Sequence, residues 1–199
     1  MSFIAQWVAE DGAKRTAPPF ILTHKEASGI WPLLGGKASI KEVRTTAQRI
    51  GALLDTQDAS DALNGAPKEL ALAIITLEST GRAFGEGWQP EDKDLVAISN
   101  RFESTKFSEL TTLRPHDLFT AWIANETISL ASTSWGVGQI MGLNHFILGY
   151  KDPESMVLAF RSPKEQIIAT CRMVRRVYHS AGGTSDLNRI ARLYNGPNS

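Results

Sequence analysis

An almost uninterrupted apolar run at residues 70–77 is the feature that most constrains how this chain can fold. Pro67 precedes the run, and proline is favoured at the first position of a helix. A helix that is apolar on every side is expected to be buried on every side. The run ends at Glu78, and Gly81 follows as a suitable C-terminal cap. We therefore predict a buried helix that places a carboxylate at its C-terminal end.

Glu78 is an unusual residue for the end of such a helix. A charge there is disfavoured by the loss of hydration and by the negative end of the helix dipole. Both effects raise the pKa of a carboxyl group. A carboxyl that stays protonated near neutral pH can donate a proton to a leaving oxygen, as glycoside cleavage requires. The sequence equally allows a solvated Glu78 just past the helix end.

Signals for helix starts recur along the chain. Ser39 with Glu42 forms a capping-box pattern and predicts a helix that ends near Asp55. Asp152-Pro153 and Ser162-Pro163 each join an N-cap residue to a proline in the first turn. Helices are also predicted at residues 117–130, 163–179 and 185–194, and a short strand or part of a small hairpin at residues 95–102. About seven helices and one small β element make this a mainly helical α+β domain.

Composition narrows the classes of function. Lysine plus arginine and aspartate plus glutamate number 21 each, and a net charge of zero disfavours nucleic-acid binding. The one cysteine, Cys171, lies in an apolar helical pattern, so we interpret it as a buried residue outside any disulfide. No stretch approaches the roughly 20 apolar residues of a membrane-spanning helix. The histidines lack metal-ligand spacing, so we expect no metal site and no membrane insertion.

The N-terminal part of the chain is predicted to be separate from the rest. Residues 1–38 are punctuated by proline and glycine, although Trp7 and Trp31 indicate some packing. The start of the chain lacks the basic residues and apolar stretch of a secretion signal, so we expect synthesis inside a cell. We predict an N-terminal extension or helical subdomain of unknown role at residues 1–60 and a catalytic domain at residues 61–199.

Residues 132–142 read Ser-Thr-Ser-Trp-Gly-Val-Gly-Gln-Ile-Met-Gly. Glycine lets a ligand approach the backbone closely. Trp135 offers a flat face for a sugar ring, and Gln139 offers amide hydrogen bonds. The same segment also fits a helix start that is capped by Ser134 and packed by Trp135. Further along, Tyr194-Asn195-Gly196 by itself is typical of a helix end and turn.

Three segments, taken in order, resemble the phage-type N-acetylmuramidase (endolysin-like) family of the lysozyme superfamily, which is related to the soluble lytic transglycosylases and goose-type lysozymes. They are Glu78-Ser79, then residues 134–142 with Asn144-His145, then Tyr194-Asn195-Gly196. Arg101-Phe102-Glu103 also resembles the family's arginine-phenylalanine-glutamate stretch. The resemblance covers about two thirds of the chain, residues 65–198.

The resemblance implies a lysozyme-like helical domain with a small β-hairpin element, no cofactor, and cleavage of the bond between N-acetylmuramic acid and N-acetylglucosamine in peptidoglycan. Glu78 would be the catalytic acid, and Glu103 would be a second catalytic carboxylate on the opposite side of the cleft. We interpret His145 as structural. The substrate-binding residues implied by the resemblance are Ser134, Trp135, Gly138, Gln139, Met141, Tyr194 and Asn195.

Departures from the family pattern leave other functions open. Thr105 stands where the family commonly has a histidine, and the chain ends soon after residues 194–196. The alternatives to hydrolysis are a lytic transglycosylase that forms a 1,6-anhydro product and an inactive protein that kept the fold. For an active enzyme we expect action in the periplasm or from a virion, with residues 1–60 contacting virion proteins.

The C-terminal third of the chain is locally basic. Such a cluster most often forms a solvated face, and it could also help docking to an anionic cell wall. The arginines concerned are Arg172, Arg175, Arg176, Arg189 and Arg192.

Overall fold

The computed structural model describes residues 6–8, 14–16, 40–78, 84, 89–93, 100–184 and 186–195. The helices in these ranges are α1 Ile40–Leu54, α2 Gln57–Leu63, α3 Lys68–Glu78, α4 Ser104–Thr111, α5 Leu118–Ala124, α6 Glu126–Ala131, α7 Pro153–Ala159, α8 Pro163–Ser180 and α9 Leu187–Asn195, with a short 3₁₀ helix at Gly142–Asn144. The strands are β1 Gln6–Val8, β2 Lys14–Thr16, β3 Asn100–Phe102, β4 Thr133–Trp135 and β5 Ile140–Met141. The mainly helical α+β class is confirmed.

Helix α8 lies at the centre of the fold. Its start is the predicted one, because Ser162 is the N-cap residue and its side chain accepts a hydrogen bond from the backbone of Glu165, with Pro163 in the first turn. Gly182 and Gly183 follow the helix with φ of 80° and 69°, a left-handed backbone that glycine adopts without a steric penalty. These local signals give α8 its length, and its apolar side chains then join it to both cores of the protein.

Two clusters of buried side chains form the core, and α8 contributes to both. The first cluster joins α1, α2 and α3 to α8 through residues such as Ile50, Ile75 and Ile167. The second joins α5, α6 and α7 to the other side of α8, where Ala169 and Met173 pack. Each fully buried aliphatic side chain stabilises the fold by about 1.5–3 kcal/mol relative to exposure. Because α8 belongs to both clusters, the two halves are packed as one unit.

A small antiparallel sheet, ordered β3-β4-β5, lies beside the second cluster. In its register, Arg101 pairs with Ser134, and Ser134 pairs with Met141. The neighbouring row places Trp135 opposite Ile140. Side chains alternate between the two faces of a strand, and directly opposed residues share a face. The sheet therefore presents the first row on one face and the Trp135 row on the other.

Several boundaries differ from the prediction. Helices α2 and α4 were not expected, and the predicted helix at residues 117–130 is two helices, α5 and α6. Asn125 divides them, since it ends α5 with an extended backbone and its side chain caps α6 by accepting a hydrogen bond from Ile128 N at 3.0 Å. The expectation that α3 is buried on every side is wrong, because the Leu77 side chain is 76% exposed.

Other expectations lie outside the described residues, namely those on Ser39, Ser79, Gly81 and Gly196 and most of those on residues 1–38 and 81–99. The division at residue 60 stays a prediction, although residue 60 falls within α2, whose Ala59 and Leu63 pack in the first cluster. No helix in the described part of the chain is both long enough and apolar enough to cross a membrane.

Candidate active site

A groove of about 500 Å³ opens between the sheet, the C-terminal end of α3, and helices α8 and α9. A cavity of this size suits a small ligand or one unit of a longer one. It is lined by Glu78, Arg101, Glu103, Ser134, Gln139, Ile140, Met141, Asn144, Ile147, Met173, Arg176, Val177, Leu193 and Tyr194. The groove thus brings together side chains that are separated by up to 116 positions in the chain, counted from Glu78 to Tyr194 (194 − 78).

Glu78 is the last residue of α3, and its side chain is half-buried on the groove wall. Burial raises the pKa of this carboxyl above its usual value, and the positive charge of Arg101 opposes that effect in part. The direction is the one predicted from the sequence. A carboxyl that keeps its proton to higher pH than an ordinary glutamate is suited to act as a general acid.

Arg101 and Glu103 form a pair on the same groove. Arg101 Nε donates a hydrogen bond to Glu103 Oε1 at 2.7 Å. Arg101 lies on β3 and Glu103 directly follows the strand, and both side chains line the groove. The backbone N of Glu103 donates to Ser132 O at 3.0 Å and so fixes the start of α4 to the sheet. Arg101 therefore holds the Glu103 carboxylate in place and also acts on the pKa of Glu78.

The sheet forms one wall of the groove. Arg101, Ser134 and Met141 are the directly paired row of β3, β4 and β5, and all three line the groove. This shared face explains why residues from three strands meet there. A hydroxyl and a thioether at this wall offer one hydrogen-bonding group and one adaptable apolar surface.

The turn between β4 and β5, Gly136–Gln139, carries Gln139 to the groove. The backbone of Gln139 is left-handed, with φ of 45°, a conformation that is uncommon outside glycine. Its Nε2 donates to Gly136 O at 2.9 Å, which closes the turn on itself. Within the described part of the chain, the buried Oε1 of Gln139 has no hydrogen-bond partner. The turn thus places an acceptor without a partner beside the groove.

Gln166 of α8 fixes this turn from behind. Its buried side chain accepts a hydrogen bond from Val137 N at 2.9 Å and donates another to Phe160 O. A Cβ added to Gly136 would lie 2.7 Å from Gln166 Oε1, so only glycine fits there. The position of the turn is therefore set by a side chain that does not line the groove.

Tyr194 of α9 holds the same turn from the other side. Its hydroxyl donates to Gly138 O at 2.7 Å. Burial raises the pKa of Tyr194, and the nearby Glu78 carboxylate adds to this, so the hydroxyl stays a donor. Gly138 itself does not line the groove, because a Cβ there would lie 2.5 Å from Thr170 Oγ1. Gly138 is therefore a packing position, and its carbonyl accepts the hydrogen bond from Tyr194.

Trp135 requires a correction. The sequence led us to expect its ring as a flat face for a sugar, but the side chain is fully buried in the second core cluster. Its Nε1 donates to Leu130 O at 2.9 Å. Ser134 precedes it on β4 and faces the groove, so the alternation of the strand turns Trp135 to the core. Asn195 ends α9, and its side chain lies outside the described residues.

Several lining residues were missed by sequence reasoning. Met173, Arg176 and Val177 lie on one stripe of α8 at helical spacing, a pattern that indicates a shared face. Nothing in the sequence says that this face borders a groove. Asn144 belongs to the segments that carry the resemblance but was not assigned to the site, and Leu193 directly precedes Tyr194.

The remaining candidates have structural surroundings. His145 Nδ1 lies 3.1 Å from Tyr150 O, which fits the structural interpretation of this histidine. Cys171 is buried in the first core cluster, and burial raises the pKa of its thiol to about 12. In the ranges that the structure describes, no group of three or more His, Cys, Asp or Glu side chains could hold a metal ion.

Residues 116–199 match the family model described as Muramidase: N-acetylmuramidase. This part of the chain is muramidase-like in sequence. The match confirms the resemblance over these residues. It covers the Gly136–Gln139 turn and Tyr194, whereas Glu78 and Glu103 lie before it. The groove therefore combines a wall from the muramidase-like region with carboxylates from the preceding part of the chain.

Among solved structures, the chain is similar to a crystal structure of the Burkholderia AP3 phage endolysin, with 22% sequence identity and a TM-score of 0.49. The likeness covers 76% of this chain and 62% of that one, so the chain matches less than two thirds of the endolysin's length. The comparison with curated proteins gives no match.

Proposed function

We propose that this protein is a peptidoglycan hydrolase that cleaves the glycosidic bond between N-acetylmuramic acid and N-acetylglucosamine, with Glu78 as the catalytic acid. One observation carries the proposal. A half-buried carboxyl with a raised pKa lines the same groove as the turn and the tyrosine of the muramidase-like region. A general acid is useful only where a sugar can reach it, and the groove brings the two together.

The reaction begins with a proton transfer. Glu78 gives its proton to the glycosidic oxygen as the bond from that oxygen to C1 of the muramic acid breaks. Positive charge then develops at C1, in an oxocarbenium-like transition state. The Glu103 carboxylate faces the groove and is held by Arg101 at 2.7 Å, so it supplies negative charge close to that centre or orients a water molecule.

Water completes the reaction. Its oxygen bonds to C1, and its proton is taken up by Glu78, or by Glu103 with later proton exchange between both carboxyls and solvent. Either route returns the proton that Glu78 gave up. The product is then a new reducing end. If the 6-hydroxyl of the muramic acid attacked C1 instead, the product would be a 1,6-anhydro sugar without a reducing end.

The other lining residues position the sugars. Gln139 offers its Oε1 to an N–H or O–H of the substrate, and an acceptor that is buried without a partner costs about 1–3 kcal/mol, which favours such a contact. Ser134 and Asn144 add further polar groups, and Met141 adds apolar surface. Tyr194 keeps the turn in place for these contacts.

Digestion of purified Gram-negative sacculi tests this function. Wild-type protein is expected to release fragments with new reducing ends, identified by mass spectrometry. Glu78→Gln keeps the shape of the side chain and removes its proton, so we expect a loss of roughly 10²–10⁴-fold in rate. Glu103→Gln is the matched second variant and is expected to lose less.

The outcomes separate the alternatives. A Glu78→Gln variant as fast as wild type would exclude Glu78 as the acid. Anhydro products would indicate a transglycosylase, and binding of sacculi without any cleavage would indicate an inactive protein that kept the fold.

The wall-directed activity also suggests a phage-type role. The structural neighbour is described as a phage endolysin, and we propose that this chain likewise attacks the wall from the periplasm or from a virion, with residues 1–60 as the segment that contacts virion proteins. Mass spectrometry of purified virions is the direct test, because peptides of this chain are expected there only if it is a virion component.

A further inference from the structure

The charges of the groove do not balance when the catalytic acid carries its proton. Within the described ranges, four charged side chains line it: Glu78, Arg101, Glu103 and Arg176. Arg101 is paired with Glu103 at 2.7 Å. Glu78 is neutral in the form that donates a proton. Among the lining residues that the structure describes, Arg176 is then the cation without a carboxylate to offset it.

Arg176 is placed to meet a ligand. It lies on α8 in the same stripe as Met173 and Val177, which also line the groove and are themselves buried. Arg176 is exposed, so its guanidinium is at the open side of this wall. Across the ranges that the structure describes, no carboxylate forms an ion pair with it.

The neighbouring arginines have different surroundings. Arg172 and Arg175 line a second cavity, on another side of α8, together with Asp58, Asp61 and Glu165. Arg172 also donates a hydrogen bond to Leu148 O at 3.0 Å. Lys164 lines that cavity as well and is paired with Asp58, so three acidic and three basic side chains meet in its described lining. The basic cluster is thus not one uniform solvated face, because Arg176 alone among these three lines the groove.

The proposed substrate offers a reason for this cation. The sugar rings of the glycan carry no charge at neutral pH. Its negative charges are carboxylates on the muramic acid unit, either the lactyl carboxylate where no peptide is attached or the carboxylates of the attached stem peptide. A guanidinium has a planar set of donors that matches a carboxylate in two-point contact.

We propose that Arg176 binds a carboxylate carried by the muramic acid unit, and that this contact makes the groove select peptidoglycan over uncharged amino-sugar polymers. The inference rests on the proposed hydrolase function. It makes Arg176 a substrate-binding residue of the groove, apart from the proton transfer at Glu78.

The test compares Arg176→Gln with Arg175→Gln. Both variants remove one positive charge from the same helix, but only the first removes it from the groove. Initial rates of reducing-end release are measured on intact sacculi and on glycan strands stripped of peptide by an amidase. Binding of a chitooligosaccharide, which has no carboxylate, is measured by calorimetry.

Arg176→Gln is expected to raise the apparent KM roughly tenfold on at least one of the two carboxylate-bearing substrates, with kcat within about twofold of wild type. The KM of Arg175→Gln should match that of wild type. Arg176→Lys should recover part of the lost affinity, because lysine restores the positive charge but lacks the planar pair of donors of a guanidinium. The difference in KM between wild type and Arg176→Gln should shrink as salt is added, because salt screens the attraction between charges. Loss on intact sacculi alone identifies the stem peptide, and loss on stripped strands identifies the lactyl carboxylate.

An unchanged KM for Arg176→Gln on both substrates would overturn the inference, as would an equal loss in Arg175→Gln or equally weakened chitooligosaccharide binding. Those results leave the hydrolase proposal standing, since wild type still releases reducing ends. If wild type releases none, the hydrolase proposal itself fails. An unchanged unfolding midpoint for Arg176→Gln excludes a folding defect as the cause of any loss.

Discussion

The two sides of the groove are built in different ways. The Gly136–Gln139 turn is fixed by hydrogen bonds from Gln166 and Tyr194 and by close packing at Gly138. The Glu78 side is the end of a helix next to the exposed Leu77, and what shapes Glu78 is burial and the charge of Arg101. One side is defined by geometry and the other by electrostatics.

This difference predicts how substitutions will act. Changes behind the turn should reduce stability and activity together, because the turn is part of the core packing. Changes beside Glu78 should alter the rate and its pH dependence with little loss of stability. The muramidase-like region, residues 116–199, contains the geometric side and not Glu78.

The largest effect on stability is expected for Gln166→Leu. The change leaves Val137 N and Phe160 O without their buried partner, and it should lower the free energy of unfolding by roughly 2–4 kcal/mol. The rate of sacculus cleavage should fall as well, because the turn that carries Gln139 is released. Chemical denaturation and reducing-end assays measure the two quantities. Full activity in this variant would show that the turn does not need Gln166.

Gly138→Ala should cost about 2 kcal/mol, since its Cβ would lie 2.5 Å from Thr170 Oγ1. The double variant Gly138→Ala with Thr170→Ala removes the obstructing hydroxyl. The loss of unfolding free energy in the double variant should be smaller than the sum of the losses in the two single variants, and a double-mutant cycle measures this difference. Strict additivity would mean that the two sites are not in contact.

Trp135→Phe separates a core role from a sugar-binding one. The loss of the hydrogen bond from Nε1 to Leu130 O and of some packing should lower stability by about 1–2 kcal/mol. The apparent KM on sacculi should stay unchanged, because the ring does not line the groove. A raised KM without loss of stability would restore the sugar-platform interpretation.

The smallest effect on stability is expected for Arg101→Gln, which should act on the pH profile. The acid form of Glu78 is lost as pH rises through its pKa, and this sets the alkaline limb of activity. The positive charge of Arg101 lowers the pKa of Glu78, so its removal should move that limb to higher pH. The unpaired Glu103 carboxylate would act in the same direction.

The measurement is kcat/KM against pH, with Arg101→Lys as the control that retains the charge. A limb that moved to lower pH in Arg101→Gln would contradict the electrostatic account of Glu78. A limb that moved equally in Arg101→Lys would point to the lost geometry of the Glu103 pair instead.

Local signals in the sequence accounted for much of the fold and for the position of Glu78 at a helix end. The apolar run placed Glu78 at a helix end with a raised pKa, and the caps at Asp152 and Ser162 marked true helix starts. Asn125 was read as part of a helix because its two capping functions depend on the backbone turning there. Such turns are decided by packing as much as by the residue itself.

The makeup of the groove was harder to predict, because it depends on register. Residues 133–135 were not predicted to form a strand, and Trp135 and Ser134 were both assigned to the ligand. Once they are placed on a strand, alternation puts them on opposite faces. The row of Arg101, Ser134 and Met141 needs three strands in a known register, and the position of Arg176 needs the packing of α8 against the sheet. No local pattern contains that information.

The sharing of α8 between the two cores has a consequence for how substrate arrives. A clamshell motion, in which the two halves swing apart to admit a polymer, would have to bend or break an 18-residue helix that is buried on both sides. If the protein acts on a glycan as proposed, the strand would enter from the side, through an aperture that is already formed between the described elements. The proposed hydrolase would then sample strands by diffusion along this open edge, without any separation of the two core clusters.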